Sequence, residues 1–169
     1  MIFVDIKRQV LIHKHQVYPI STAENGIGSQ VNSFKTPLGG HEISDIIGLD
    51  QPIYTQFVSR EPVGIVPPNQ WHTLQGKDLI LSRIIRLQGL EPGINQGPGV
   101  DSYERYIYIH GTSEEDLIGM PRSKGCIRML NKDIINLSHQ VQCGDQINIQ
   151  TSVNDPELLS LIESSLTQT

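Results

Sequence analysis

Hydrophobic and polar positions alternate in short runs over much of the chain, the pattern expected of half-buried β-strands. Ile2, Val4 and Ile6 alternate with Phe3, Asp5 and Lys7. A second run spans Gln9 to His13. A third, Val17 to Ser21, follows the polar turn His13-Lys14-His15-Gln16. Together these runs predict a meander of short strands. Thr22 to Lys35 is polar and rich in Gly, Asn and Ser, so a surface loop is expected there. Thr36-Pro37-Leu38-Gly39-Gly40 predicts a turn that launches the apolar segment His41 to Ile47. Pro62, Pro67 and Pro68 predict breaks in the middle of the chain.

The longest aliphatic run, Leu79 to Leu87, predicts a buried strand. Gly89 to Gly99 predicts a loop whose glycines would permit a lid. Arg105 to Ile109 returns to strand character, and Gly111 to Gly125 reads as a connection. Ile134, Ile135, Leu137 and Val141 then predict a short helix with Asn131 as its N-cap. Ile147 and Ile149 alternate with Gln146, Asn148 and Gln150 as a last strand. Asp155-Pro156-Glu157 opens a second helix, with Leu158, Leu159, Ile162 and Leu166 on one face.

Composition supports this reading. The 169 residues fit one domain, and 23 isoleucines favour strands over helices. A net charge of -5, with no basic run longer than Lys7-Arg8, argues against a nucleic-acid partner. No stretch has the ~18 apolar residues that a membrane span needs. No export signal is visible at the first residues, so the chain taken literally reads as cytoplasmic. Two cysteines, Cys126 and Cys143, are too few for a disulfide framework or a cysteine-built zinc site; one bridge between them stays open.

Two segments carry candidate chemistry. In Tyr106-Ile107-Tyr108-Ile109-His110-Gly111, alternation puts Ile107 and Ile109 toward the core. Tyr106, Tyr108 and His110 then share the other, polar face. A histidine at a strand end is ordinarily a surface or half-buried residue. In Ser123-Lys124-Gly125-Cys126-Ile127-Arg128-Met129, a cysteine beside Ile and Met is ordinarily a small core residue. Lys124 and Arg128, however, bring two cations near the sulfur, and nearby cations lower a thiol pKa. Taken together, the two segments offer a thiol and a base for acyl transfer.

These residues resemble the L,D-transpeptidase catalytic domain, the YkuD-like family. The resemblance rests on His110-Gly111-Thr112 followed by Ser123-Lys124-Gly125-Cys126-Ile127-Arg128. It is supported by Gln9-Val10-Leu11, Tyr18 to Thr22, Thr36-Pro37-Leu38-Gly39 and Gly144-Asp145. It implies a mainly β fold, a β-sandwich with one or two short helices. Residues 1–150 would form the catalytic domain, and 151–169 a helical extension packed on it. Cys126 matches the nucleophile and His110 the general base. The Gly111 carbonyl would orient the histidine ring, and backbone N–H groups at Gly125 and Cys126 would form an oxyanion hole. Arg128 matches a brace for the nucleophile loop, Ser123 and Lys124 flank the site, and Tyr108 would line the donor groove.

The implied substrate is a peptidoglycan stem tetrapeptide, with no cofactor and no metal, and a monomer is expected. Cys126 would attack the carbonyl of the third stem residue and release D-Ala, and an amine of a neighbouring stem would resolve the thioester. That substrate implies a periplasmic site of action. The family's usual histidine between Ser and Gly is replaced here by Lys124, which keeps two alternatives open. One is an L,D-carboxypeptidase or other murein-peptide hydrolase on the same site. The other is a non-catalytic cell-wall-binding module.

Overall fold

The strands are β1 (Ile2–Asp5), β2 (Val10–His13), β3 (Gln16–Ser21), β4 (Gly39–Ile47), β5 (Thr55–Val58), β6 (Glu61–Ile65), β7 (Ile80–Gly89), β8 (Tyr108–Gly111), β9 (Ile127–Met129) and β10 (Gln146–Gln150). Two α-helices, α1 (Asn131–Ser138) and α2 (Pro156–Leu166), and two 3₁₀ turns, Pro68–Leu74 and Glu115–Leu117, complete the computed structural model, which describes residues 1–167. The expected extension 151–169 therefore ends in two residues that lie outside the described ones.

One sheet runs in the order β4-β10-β1-β2-β3-β9-β8-β7-β5-β6. β4 also pairs with β7, closing the sheet on itself as a mainly β, barrel-like or sandwich fold. Its interior is aliphatic: Ile2, Val4, Leu11, Ile20, Ile85, Ile109, Ile127 and Ile149 are all buried in one cluster, with Ile134 and Leu137 of α1 against them. Fully burying each such side chain is worth roughly 1.5–3 kcal/mol. In α2, Asp155 accepts from the N–H groups of Glu157 and Leu158, and Ile162 is buried. Leu166, expected on the same apolar face, is 70% exposed.

Several expectations are corrected. Asp5 is buried rather than on a polar face, because its carboxylate accepts from Arg8 N, Arg8 Nη1 and Val153 N. Pro62 does not break the chain; it sits inside β6. That strand is the outer edge of the sheet, where a missing N–H costs no ladder bond. The β5–β6 hairpin turns through Ser59 and Arg60, both at positive φ (49° and 68°). That is the backbone of a two-residue type I′ turn without its usual Asn-Gly, so alternation offered no clue to it.

Asn131 is the first helical residue of α1 rather than its N-cap. Its side chain turns inward, accepting from Ser82 Oγ at 2.7 Å and donating to Thr112 O at 2.8 Å. The 89–99 loop is no lid. Buried Asn95 donates to Leu38 O and Gly40 O, and Glu91 accepts from Gly40 N, so the loop is tied down onto β4.

Candidate active site

β8 and β9 are parallel neighbours with Ile109 opposite Ile127 and His110 opposite Arg128. Side chains alternate along each strand, so this register sorts them into two faces. Ile107, Ile109, Ile127 and Met129 enter the main core. Tyr108, His110, Cys126 and Arg128 take the other face, where Tyr108 packs with Phe57 and Ile84, and Cys126 lies against them. That face is buried rather than polar: Tyr108 is 4% exposed and His110 1%. Tyr106 is not in the strand. Its φ of 56° makes it a turn residue, and its ring is exposed.

The His110 ring is fixed by one bond, from Nδ1 to the Gly111 carbonyl at 2.6 Å. With the proton on Nδ1, Nε2 is left as the basic nitrogen. Gly111 has no room for a side chain. A Cβ there would stand 2.4 Å from Asn131 Oδ1 and 2.6 Å from Leu81 O. His110 is held below its ordinary pKa of 6.5, first by burial and then by the Arg128 charge; Asp78 and the Gly111 carbonyl oppose this.

Cys126 is half-buried and free, as is exposed Cys143, so no bridge joins them. Its Sγ donates to Tyr106 O and accepts from Tyr108 N, each at 3.4 Å. Burial pushes the thiol up from 9.0 to about 12, against the pull of the Tyr108 N–H and of Arg105 and Arg128. The expected lowering of the thiol pKa by nearby cations is present but outweighed by desolvation. The nearby cations also differ from those expected. Lys124 is exposed, and the cations that pull on the thiol are Arg105 and Arg128. The Arg105 guanidinium donates to Lys35 O at 2.8 Å and lies beside the nucleophile loop.

That loop is clamped from both ends. Ser123 Oγ donates to Cys126 O at 2.6 Å and accepts from Gly125 N at 3.2 Å. The Gly125 N–H expected in an oxyanion hole is therefore engaged within the loop. Gly125 itself has φ +127°, a conformation that excludes most side chains. Thr36 Oγ1 accepts from Ala23 N at 3.0 Å and donates to Gly125 O at 2.9 Å, which gives the Thr-Pro turn a direct role in the site.

Arg128 is fully buried. It pairs with Asp78 at 3.1 Å and Glu114 at 3.5 Å, and donates to Ser21 Oγ at 3.2 Å. Ser21 Oγ also accepts from Arg122 N, linking Arg128 to the start of the loop. The Tyr108 hydroxyl accepts from Arg60 at 3.2 Å, so this residue packs beside the sulfur rather than lining an open groove. Arg60, Asp78, Arg105 and Glu114 had no local signature in the sequence. Thr36 had one, the Thr-Pro-Leu-Gly turn.

The chain belongs to the L,D-transpeptidase family: the family model of the L,D-transpeptidase catalytic domain matches residues 1–149. The Bacillus subtilis (strain 168) protein "Putative L,D-transpeptidase YkuD" is 51% identical over 46 residues, 27% of this chain and 28% of that protein. An L,D-transpeptidase structure from Mycobacterium smegmatis aligns with TM-score 0.50 at 17% identity, over 88% of this chain and 57% of the other. One from Mycobacterium tuberculosis H37Rv gives 0.51 at 14% identity, over 88% and 56%. Both likenesses show the mainly β fold. The chain spans less than two thirds of each of these relatives.

Proposed function

We propose that the protein is a peptidoglycan L,D-transpeptidase acting through Cys126. The observation that carries this reading is the shared face of β8 and β9, with His110 two positions along the ladder from the Cys126 level and its ring tethered to Gly111 O. Both groups rest neutral, so His110 Nε2 takes the thiol proton as Sγ attacks the carbonyl of the third stem residue. The Cys126 N–H donates to the developing oxyanion. The tetrahedral adduct collapses, the C–N bond to D-Ala breaks, and His110 returns the proton to the leaving amine. An amine of a neighbouring stem then attacks the thioester and restores the thiol. A peptidoglycan substrate supports a periplasmic site of action.

The test is the intact mass of the protein after incubation with a carbapenem. An adduct that vanishes in Cys126→Ala supports the reading. No adduct, under conditions that label a proven transpeptidase, overturns it in favour of a non-catalytic wall-binding module. A stem tetrapeptide given with and without an acceptor amine then separates transfer from hydrolysis. Lys124→His tests whether the exposed lysine slows acylation.

A further inference from the structure

A cavity of about 440 Å³ lies beside the Cys126 face, lined in part by Phe57, Arg60, Arg86 and Tyr103. Tyr106 and Tyr108, whose backbone atoms hold Cys126 Sγ, do not line it but touch Arg60, which does. Arg60, at the tip of the β5–β6 hairpin, lies over the Tyr106 ring at 5.3 Å and donates to Tyr108 Oη. Arg86 stacks 3.5 Å over Tyr103 and stands 5.2 Å from the Tyr106 ring. The two guanidiniums therefore share one aromatic wall.

Neither guanidinium is in an ion pair among the described residues, where the arginines so paired are Arg8, Arg122 and Arg128. Arg86 is only 8% exposed, and its Nε has no hydrogen-bond partner among the described residues. Its guanidinium donates to the Tyr103 carbonyl at 3.0 Å. Asp45 stands opposite Arg86 in the β4–β7 register but in no ion pair with it, so a carboxylate arriving from outside would complete the pairing of this buried cation. Tip residues Ser59 and Arg60, like Tyr106, sit at positive φ without being glycine, so the backbone is strained on both sides of the Arg60–Tyr106 contact.

We propose that Arg60 and Arg86 form a carboxylate subsite on the donor side of Cys126, one that holds an α-amino acid end of the substrate. Asp45, Asp50 and Glu61 line the same cavity. They disfavour a polyanion and suit an ammonium beside the carboxylate. The proposal rests on the transpeptidase reading for the identity of the ligand, a stem peptide whose third residue ends in both charges.

The experiment measures calorimetric affinity for a stem tripeptide ending in diaminopimelate and for its lysine analogue, which keeps the ammonium and lacks the carboxylate. The wild-type protein should prefer the diaminopimelate peptide by about tenfold or more, the weight of one charge-assisted hydrogen bond. Arg60→Ala should erase the preference, and Arg60→Lys should restore part of it; circular dichroism checks that each variant is folded. Arg86→Lys, which keeps the buried charge and loses the fork, should weaken the preference as well. Equal binding of both peptides, no binding of either, or a preference that survives Arg60→Ala overturns the subsite. Cys126 acylation by a stem tetrapeptide is measured in parallel. Acylation indifferent to Arg60 leaves the transpeptidase reading standing without the subsite, and an Arg60-dependent preference without acylation does the reverse.

Discussion

Thr36→Val tests how the nucleophile loop is held. Valine keeps the shape of threonine and removes only the hydroxyl. Thr36 is fully buried, and its Oγ1 serves two groups: the Ala23 N–H at 3.0 Å and the Gly125 C=O at 2.9 Å. Both lie away from solvent, so no water replaces the lost partner. Each unpaired buried group costs about 1–3 kcal/mol, the carbonyl less than the amide. The sum is about 2–5 kcal/mol. At this chain length, about 2–4 °C of melting temperature is lost per kcal/mol. Urea unfolding of wild type, Thr36→Val and Thr36→Ser measures it. The serine variant keeps the hydroxyl and loses one methyl, about 1 kcal/mol. Release of the Gly125 carbonyl should also slow Cys126 acylation in the valine variant alone. A valine variant that loses less than about 1 kcal/mol, or no more than serine does, would refute the clamp.

Further outcomes follow from the same geometry. In a Cys143→Ser background, Cys126 should titrate near 12 in iodoacetamide alkylation. At pH 8 the thiolate fraction is then about a thousandfold below that of an ordinary thiol at 9.0, and a midpoint at or below 9 contradicts the desolvated thiol. His13, His41 and His110 are each held below 6.5, chiefly by burial. The unfolded chain therefore binds protons first, and stability should fall as pH drops below 6.5; urea midpoints at pH 7.5 and 5 that do not differ would count against this. Arg128→Met leaves Asp78 and Glu114 facing each other without their cation, and should cost about 3 kcal/mol in urea unfolding. Adding Asp78→Asn should recover part of that loss; an unchanged double variant would show that the pair is not coupled.

Much of the strand framework was legible because alternation is a local property. β1, β2, β3, β7 and β10 each lie within a residue or two of the run that announced them. β5 and β6 were not, because Pro62 reads as a breaker unless the strand is known to lie on an edge. Asn131 was misjudged for a similar reason. Its residue type fits a cap, but the partners that claim it, Ser82 and Thr112, lie 49 and 19 residues away.

The candidate site divides in the same way. The sequence alone determined which atoms could do chemistry: one thiol in a Gly-Cys loop, one imidazole before a glycine, and a Thr-Pro turn. It also determined, through strand parity, that Tyr108 and His110 face away from the isoleucines. The tertiary structure decided that Cys126 and His110 share that face, because the β8–β9 pairing joins segments on either side of the connection. It also decided the charge states. Flanking cations suggested a lowered thiol pKa, yet burial holds the thiol neutral, near 12. Desolvation and pairing sum over neighbours distant in the chain, here Asp78 and Arg105. No local pattern of residues carries that sum.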